Sequence, residues 1–447
     1  MEEARTIACR LATALREAGF LAYFAGGCVR DPLLGRVPKD FDIATDARPD
    51  QVATLFPKAR PVGAHFGVLL VHAGGHDFEI VTFRTDGVYR DGRHPEGVEF
   101  AGPEEDARRR DFTVNGLFED PATGDILDFV GGRADLDHRI LRAIGDPQLR
   151  FAEDHLRLLR AVRFATVLDG FALDPATWRA VRACAPSIAR IAPERIRVEL
   201  DLCWRHRARL RAFDLLEESG LMQEILPEVV ALRGCEQPPQ WHPEGDVFVH
   251  TRLMLGLLDA DAPLALVWAV LLHDIGKPAT FARDEDGRIR FSGHDRVGAA
   301  MAEGVLRRLR YANEMIEQVV AMVARHMQFM NVREMRVAKL RRFMAAPTFA
   351  MELELHRLDC AASNGFTDNY EFLLAKRDEF AREPLIPPPL LNGHDLIALG
   401  AAPGPALGGM LRRLQTLQLE GGLVSRDEAL AWARNELAGP TGGEGDR

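Results

Sequence analysis

Residues 22–45, AYFAGGCVRDPLLGRVPKDFDIAT, constrain the fold more than any other stretch. The apolar run Leu21, Ala22, Tyr23, Phe24 predicts a strand. Gly26-Gly27 follows, and Leu33-Leu34-Gly35 predicts a short helix and its stop. In Asp40-Phe41-Asp42-Ile43 polar and apolar residues alternate with the period of a strand, so both carboxylates share a face. Two carboxylates crowded on one face repel unless a cation lies between them. Hard oxygens on a strand suit Mg²⁺, which keeps several waters and takes its other oxygens from phosphates. Gly26-Gly27 lets backbone amides approach those phosphates. Singly, these signals are ordinary: D-x-D on a strand is more often a solvated face, and Gly-Gly is usually a turn. Their succession is what carries information.

Downstream, DARPDQVATLF predicts a short helix ended by Pro57. Phe66 to His72 and Phe78 to Phe83 read as strands around an A-G-G-H turn. Glu79 is an isolated acid in the second of these; an exposed strand-face acid is the ordinary explanation. Residues 84–103 are rich in Gly, Pro and charge, lack periodicity, and predict a mobile loop. The run DPATGDILDFVGGRADLDHRILRAIGDP predicts a hairpin and then a helix.

Phe151 to Phe164 predicts a single helix in which spacings of three set Asp154 beside Arg157, with Arg160 one turn on and Arg163 beyond. Salt bridges on a solvated helix give the plain reading. A chemical reading also exists. A carboxylate accepts from an exocyclic amine, and an arginine donates to a ring nitrogen or carbonyl. Cytosine and adenine share that edge pattern, whereas uracil and guanine reverse it. One Asp–Arg pair can therefore accept C and A without a template.

Residues 165–232 read as all-helical, and GCEQPPQWHPEGD reads as a linker. His250, His273-Asp274, His294, His326 and Asp359 then fall on or near successive helices. A lone histidine is usually a core or surface residue, but six potential ligands in this order point to one or two divalent ions. Lys277 lies just beyond, in reach of a phosphate. Mixed His/Asp sites suit Mn²⁺, Ni²⁺, Co²⁺ or Fe²⁺ better than Mg²⁺ alone. Residues 366–436 predict further helices, among them Met410 to Leu419, and AGPTGGEGDR predicts a disordered end.

A chain of 447 residues implies two to four domains. The longest apolar run, Ala262 to Leu272 apart from Pro263, is too short to span a bilayer, so no membrane partner is expected. The N-terminus reads as an amphipathic helix without the features of a signal peptide. Six scattered cysteines predict free thiols and a cytoplasmic protein. A net charge of −10 argues against a broad nucleic-acid-coating surface but not against a local basic groove. Residues 151–213, with twelve arginines against seven acids, are the best candidate for one.

Taken together, G-G-x-V-R-D, L-L-G and D-x-D resemble the nucleotidyltransferase signature of the DNA polymerase β superfamily, and more narrowly the class II tRNA nucleotidyltransferase and bacterial poly(A) polymerase family. The resemblance implies metal ligands at Asp40 and Asp42, and triphosphate contacts from Gly27, Arg30 and, in R-R-D-F-T-V-N, Arg110. It implies a third carboxylate at Glu79, a candidate general base, and a switching loop over 84–103. Asp111 and Asn115 would hold the fold and the sugar pocket. The nucleotide-reading motif E-D-x-x-R falls on Glu153, Asp154 and Arg157, with further contacts from Arg160 and Arg163. The histidine series resembles HD-domain phosphohydrolases, some of which keep phosphatase or cyclic phosphodiesterase activity in this family.

The fold class this implies is α+β: a small mixed-sheet head followed by an all-helical neck, body and tail containing an HD domain. The expected division is head 1–145, neck and RNA-binding body 146–235, HD domain 236–365, tail 366–437 and disordered end 438–447. The implied activity is addition or repair of the 3′-terminal CCA of tRNA from CTP and ATP, using Mg²⁺ in the head and releasing pyrophosphate. The alternatives are a poly(A) polymerase, a CC-only or A-only enzyme, and an HD phosphohydrolase with a vestigial head.

Overall fold

The computed structural model describes residues 2–62, 67–86 and 98–438. The first helix, α1 (Glu2–Glu17), buries Ile7, Ala8, Leu11, Ala12 and Leu15, the three-and-four spacing of a one-faced helix. Next come β1 (Ala22–Ala25), α2 (Gly27–Leu33), β2 (Asp42–Thr45), α3 (Pro49–Leu55), β3 (Arg60–Pro61), β4 (Val68–Ala73) and β5 (His76–Thr82). After β6 (Arg84–Asp86) and β7 (Val98–Phe100) the chain forms α4 (Pro103–Arg109), β8 (Leu117–Glu119), β9 (Ile126–Asp128) and α5 (Gly132–Asp137).

Seven of these strands make one mixed sheet, in the order β3-β4-β5-β2-β1-β8-β9. Only β2 and β5 run parallel; the other pairs are antiparallel. Ala25, Ala44, Phe83, Ala107 and Phe118 form a core cluster there.

Several local expectations change. The strand expected over Asp40–Ile43 begins at Asp42, because Ala25↔Asp42 is the last register pair and the partner strand then turns at Gly26. Asp40 and Phe41 precede it without a ladder. Residues 84–103 are not all loop: Arg84–Asp86 pairs antiparallel with Val98–Phe100. Residues 87–97 of that expected loop, Phe66 of the expected strand, and residues 439–447 of the expected disordered end lie outside the described residues.

The helix expected over Phe151–Phe164 is two helices, α6 (Pro147–Glu153) and α7 (Arg157–Val167). Asp154 takes extended torsions (φ −133°, ψ 104°) and its Oδ1 accepts from the Leu156 N–H at 3.0 Å. Its carboxylate thereby competes with the helical ladder, the usual behaviour of aspartate at helix ends.

The chain divides into two compact units. The first comprises residues up to Val230, with Asp259–Leu264 and Val305–Tyr311. Within it the fully buried Arg209 donates to the carbonyls of Trp204, Asp259 and Ala260, tying a helix end to a loop fifty residues on. The second unit comprises Ala231–Leu258, Ala265–Gly304 and the chain from Ala312. It is helical apart from the two-residue pair Ala282–Arg283 and Ile289–Arg290, with one cluster around Phe329, Phe343 and Leu373 and another around Leu396, Leu414 and Ala429. Among the described residues no helix is long and apolar enough to cross a membrane. All six cysteines are free thiols.

Candidate active sites

In the first unit a cavity of about 720 Å³ opens beside β1 and β2. The turn that shapes it is forced to glycine: Gly26 has φ +74°, and a Cβ there would stand 3.2 Å from Nη1 of Arg110. Gly26, Gly27 and Asp42 line the cavity together with Arg30, Arg110, Asp154, Arg157, Arg160 and Arg163. Asp40 and Glu79 are not among its lining residues, although their charges reach Asp42. Register explains Glu79: Ile43 pairs with Ile80, so Glu79 and Asp42 sit one residue before that pair on parallel strands. Phe78, Ile80 and Thr82 are buried, which leaves Glu79 on the face of Val81, a cavity-lining residue. Burial, and then the charges of Asp40 and Glu79, push the Asp42 carboxyl up to about 7. A cation beside Asp42 would relieve that repulsion.

The cationic wall is held by a lattice of charge pairs. Arg30 donates from Nη1 to Asn115 Oδ1 at 2.6 Å and from Nη2 to Asp31 at 2.6 Å. Asn115 donates to Asp111 Oδ1 at 2.9 Å, and Asp111 Oδ2 meets Arg160 at 2.6 Å. Burial opposes the Asp111 charge, yet Arg160 and the Asn115 hydrogen bond outweigh it and hold the carboxyl down at about 2. Arg110 is anchored on Asp106 and lies 4.9 Å over the Phe118 ring. The Phe164 ring gathers Arg30, Arg160 and Arg163, the last at 3.9 Å from its centroid.

The expected side-by-side pair Asp154–Arg157 is not an ion pair. Arg157 Nη1 binds Glu153 Oε2 at 2.7 Å and the Arg150 carbonyl, and Nη2 binds the Arg109 carbonyl. Asp154 Oδ2 instead accepts from Arg195 at 3.1 Å. The helix break swings the carboxylate away from its i+3 neighbour, while both residues still face the cavity. Sequence reasoning assigned no role to Arg84, Arg109, Arg195 or Phe164, all of which line the cavity. The concentration of arginine over 151–213 was the available signal for Arg195.

The second unit gathers all six expected HD ligands. His273 Nδ1, His294 Nδ1 and His326 Nδ1 lie 3.0, 2.8 and 2.6 Å from the carbonyls of Val270, Phe291 and Val323. A carbonyl only accepts, so each Nδ1 carries the proton and each Nε2 presents a lone pair. Those lone pairs converge: His294 Nε2 and His326 Nε2 are 3.1 Å apart. Asp274 stands between, with Oδ2 3.1 Å from His273 Nε2 and Oδ1 3.4 and 3.7 Å from His294 and His326. His250 Nε2 is 3.1 Å from Asp359 Oδ1.

Despite these distances, Nε2 of His250 and of His273 is buried without an aligned hydrogen bond. Buried, converging nitrogen lone pairs and carboxylates are what a divalent cation satisfies. Asp274 belongs to two such groups, one with His250 and His273 and one with His294 and His326. Lys277 Nζ binds Asp274 Oδ2 at 2.7 Å and lines the adjoining cavity of about 820 Å³. The expected linker 234–246 proves to be part of this centre, since its His242 and Glu244 join His250. A carboxylate and two histidines within nine residues were the signal in HPEGDVFVH, masked by its Pro and Gly content.

Both centres lie on a fold with known relatives. Residues 22–142 match the poly A polymerase head domain, 170–232 the probable RNA and SrmB-binding site of polymerase A, and 247–355 the HD domain. The chain is 35% identical over 436 residues to the A-adding tRNA nucleotidyltransferase of Deinococcus radiodurans, covering 92% of this chain and 95% of that one. It is 46% identical over 208 residues to the CCA-adding enzyme of Geobacillus stearothermophilus, covering 46% of this chain and 51% of that one. In those matches the chain spans about half the length of the curated CCA-adding relatives. The crystal structure of the Bacillus stearothermophilus CCA-adding enzyme in complex with CTP superposes with a TM-score of 0.73 at 29% identity, covering 98% of both chains. A nucleotidyltransferase head, a helical RNA-binding segment and an HD domain are thus joined in one chain. The protein belongs to the tRNA nucleotidyltransferase and poly(A) polymerase family.

Proposed function

We propose that the chain adds or repairs the 3′-terminal CCA of tRNA, drawing on CTP and ATP and releasing pyrophosphate. The observation that carries this reading is one cavity with Asp42 on one wall and Asp154 with Arg157 on another. The solved relative with CTP supports the nucleotide class. Asp40 and Asp42 would hold Mg²⁺, which when bound would supply positive charge to the triphosphate and to the attacking 3′-hydroxyl. Gly27, Arg30 and Arg110 neutralise and orient the triphosphate, so that positioning and charge stabilisation accomplish in-line transfer. Glu79, on the same strand face as the cavity-lining Val81, would accept the hydroxyl proton.

Asp154 accepts from the exocyclic amine of C or A. Arg157, three of its N–H groups already fixed by Glu153, Arg150 and Arg109, offers its remaining edge to the ring. Arg160 and Arg163 complete the nucleotide wall. The four-part division into head, neck and body, HD domain and tail belongs to the same reading. In the HD domain, His250, His273, Asp274, His294, His326 and Asp359 would hold one or two ions such as Mn²⁺, Ni²⁺ or Co²⁺, which would supply the Lewis acid for an additional phosphoester hydrolysis.

A second reading has a specific observation behind it: the relative matched over nearly its whole length is named for A addition. Incubation with tRNA ending at the discriminator base, Mg²⁺, and CTP, ATP or both separates the two when the 3′ ends are sequenced. CCA with both nucleotides and CC with CTP alone is the expected result. Addition of A only to a CC-ended primer would replace the first reading by the second. Long A tails would overturn both.

A further inference from the structure

The four buried histidines of the HD centre are not held alike. In three of them a backbone carbonyl fixes Nδ1–H: His273 on Val270, His294 on Phe291 and His326 on Val323. His250 faces a carboxylate instead, with its Nδ1 2.7 Å from Glu244 Oε1. The same oxygen is 2.9 Å from Nδ1 of His242, whose ring meets that of His250 edge-on at 5.1 Å. An ionised carboxylate accepts only, so both histidines must donate from Nδ1. His250 then has a single remaining lone pair, on the buried Nε2 that faces Asp359. Glu244 itself is nearly buried, and its Oε2 has no hydrogen-bond partner among the described residues. A buried, half-satisfied carboxylate is costly unless positive charge lies close by. A cation on the far side of the His250 ring is the arrangement that balances it.

We propose that Glu244 is the positioning residue of the HD centre: it fixes the tautomer and ring orientation of His250, raises the basicity of Nε2 toward a divalent cation, and links that ligand to the cavity-wall residue His242. His250 is the ligand suited to such support. It comes from helix Val247–Leu257, and Asp359, its neighbour across the site, from helix Phe349–Ala362, more than a hundred residues later in the chain. A carboxylate behind a metal-ligating imidazole raises ligand basicity, and losing such a partner typically lowers metal affinity about 10- to 100-fold.

The inference rests on the reading of the HD cluster as a metal centre, and the test separates the two. Full-length wild type, Glu244→Gln and His273→Ala are titrated with Co²⁺ alone, following calorimetry and the visible absorption of bound Co²⁺. Expected are tight binding by wild type, loss in His273→Ala, and affinity lower by about 10- to 100-fold with an altered absorption band in Glu244→Gln at unchanged helicity. Absence of Co²⁺ binding in wild type would overturn the metal centre itself. Equal affinity and spectrum in wild type and Glu244→Gln would overturn the role of Glu244 alone, and so would a lower melting temperature with unchanged affinity. Should Glu244→Gln fail to fold, ¹⁵N spectra of histidine-labelled wild type decide: a proton on Nδ1 of His250 is expected, and one on Nε2 in its place overturns the proposal.

Discussion

Asp111 carries three obligations on one carboxylate: the Phe112 N–H, the Asn115 amide and the Arg160 guanidinium. It is nearly buried, whereas the Arg160 side chain is one-third exposed to the cavity, so solvent screens part of the pair. Folding lowers the Asp111 pKa from 3.8 to about 2. The group therefore adds stability in full above its ordinary value and loses that contribution as the pH falls through about 2. A shift of this size corresponds to about 2 kcal/mol. Asp111→Asn should cost about 2 kcal/mol in urea unfolding at pH 7 and much less near pH 2, where the wild-type carboxylate is itself being protonated. An equal loss at both pH values would show that shape, rather than charge, stabilises this corner. Arg30 reaches Asn115 through the same network, so Asp111→Asn should also raise KM for the nucleotide more than it lowers kcat.

At the level of elements, the break between α6 and α7 sets the position of the Asp154 carboxylate, the group proposed to read the base. Asp154→Asn keeps an oxygen for the Leu156 N–H and so keeps the break, but it trades an acceptor for a donor toward the base. Incorporation from CTP should fall roughly 10- to 150-fold in kcat/KM, the worth of a charge-assisted hydrogen bond, and UTP should be misincorporated more readily. Unchanged discrimination between CTP and UTP would remove Asp154 from base reading. A second element-scale prediction concerns Arg209, whose guanidinium ties helix Pro193–Trp204 to the loop at Asp259–Ala260. Arg209→Met should destabilise the first unit by about 2 kcal/mol, since the carbonyl of the buried Trp204 and the more exposed carbonyls of Asp259 and Ala260 lose their donor; thermal unfolding reads this directly.

These elements also mark where sequence was legible. The glycine turn is a local pattern and the structure keeps it at the cavity; the six residues expected as HD ligands converge in the second unit, whereas the strand expected to pair the two acids begins only at Asp42. The break at Asp154 escaped notice because a capping aspartate and a helical aspartate look alike in a run of good helix formers. Arg195 escaped because its partner, Asp154, lies forty-one residues away and periodicity carries no record of such pairing, and Glu244 because the Pro and Gly around it read as a linker.

For the molecule as a whole, the two candidate centres lie in two separate units, and the residues of each come from its own unit alone. Their dependence on metal should accordingly be separable. The HD ligands come from helices far apart in sequence, so an ion bound there crosslinks the second unit and favours its folded state by mass action. Ligand saturated at about 100 times its Kd adds roughly 2.7 kcal/mol to the unit that binds it. Chelation followed by calorimetry should lower the unfolding transition of the second unit and leave that of the first in place. Restoring Co²⁺ should reverse the shift in wild type and in Asp42→Ala, but not in His273→Ala. Nucleotide transfer should show the opposite pattern: lost in Asp42→Ala and retained in His273→Ala. If His273→Ala also abolished transfer while the first unit unfolded normally, the two chemistries would be coupled, and the second unit would act on the head rather than beside it.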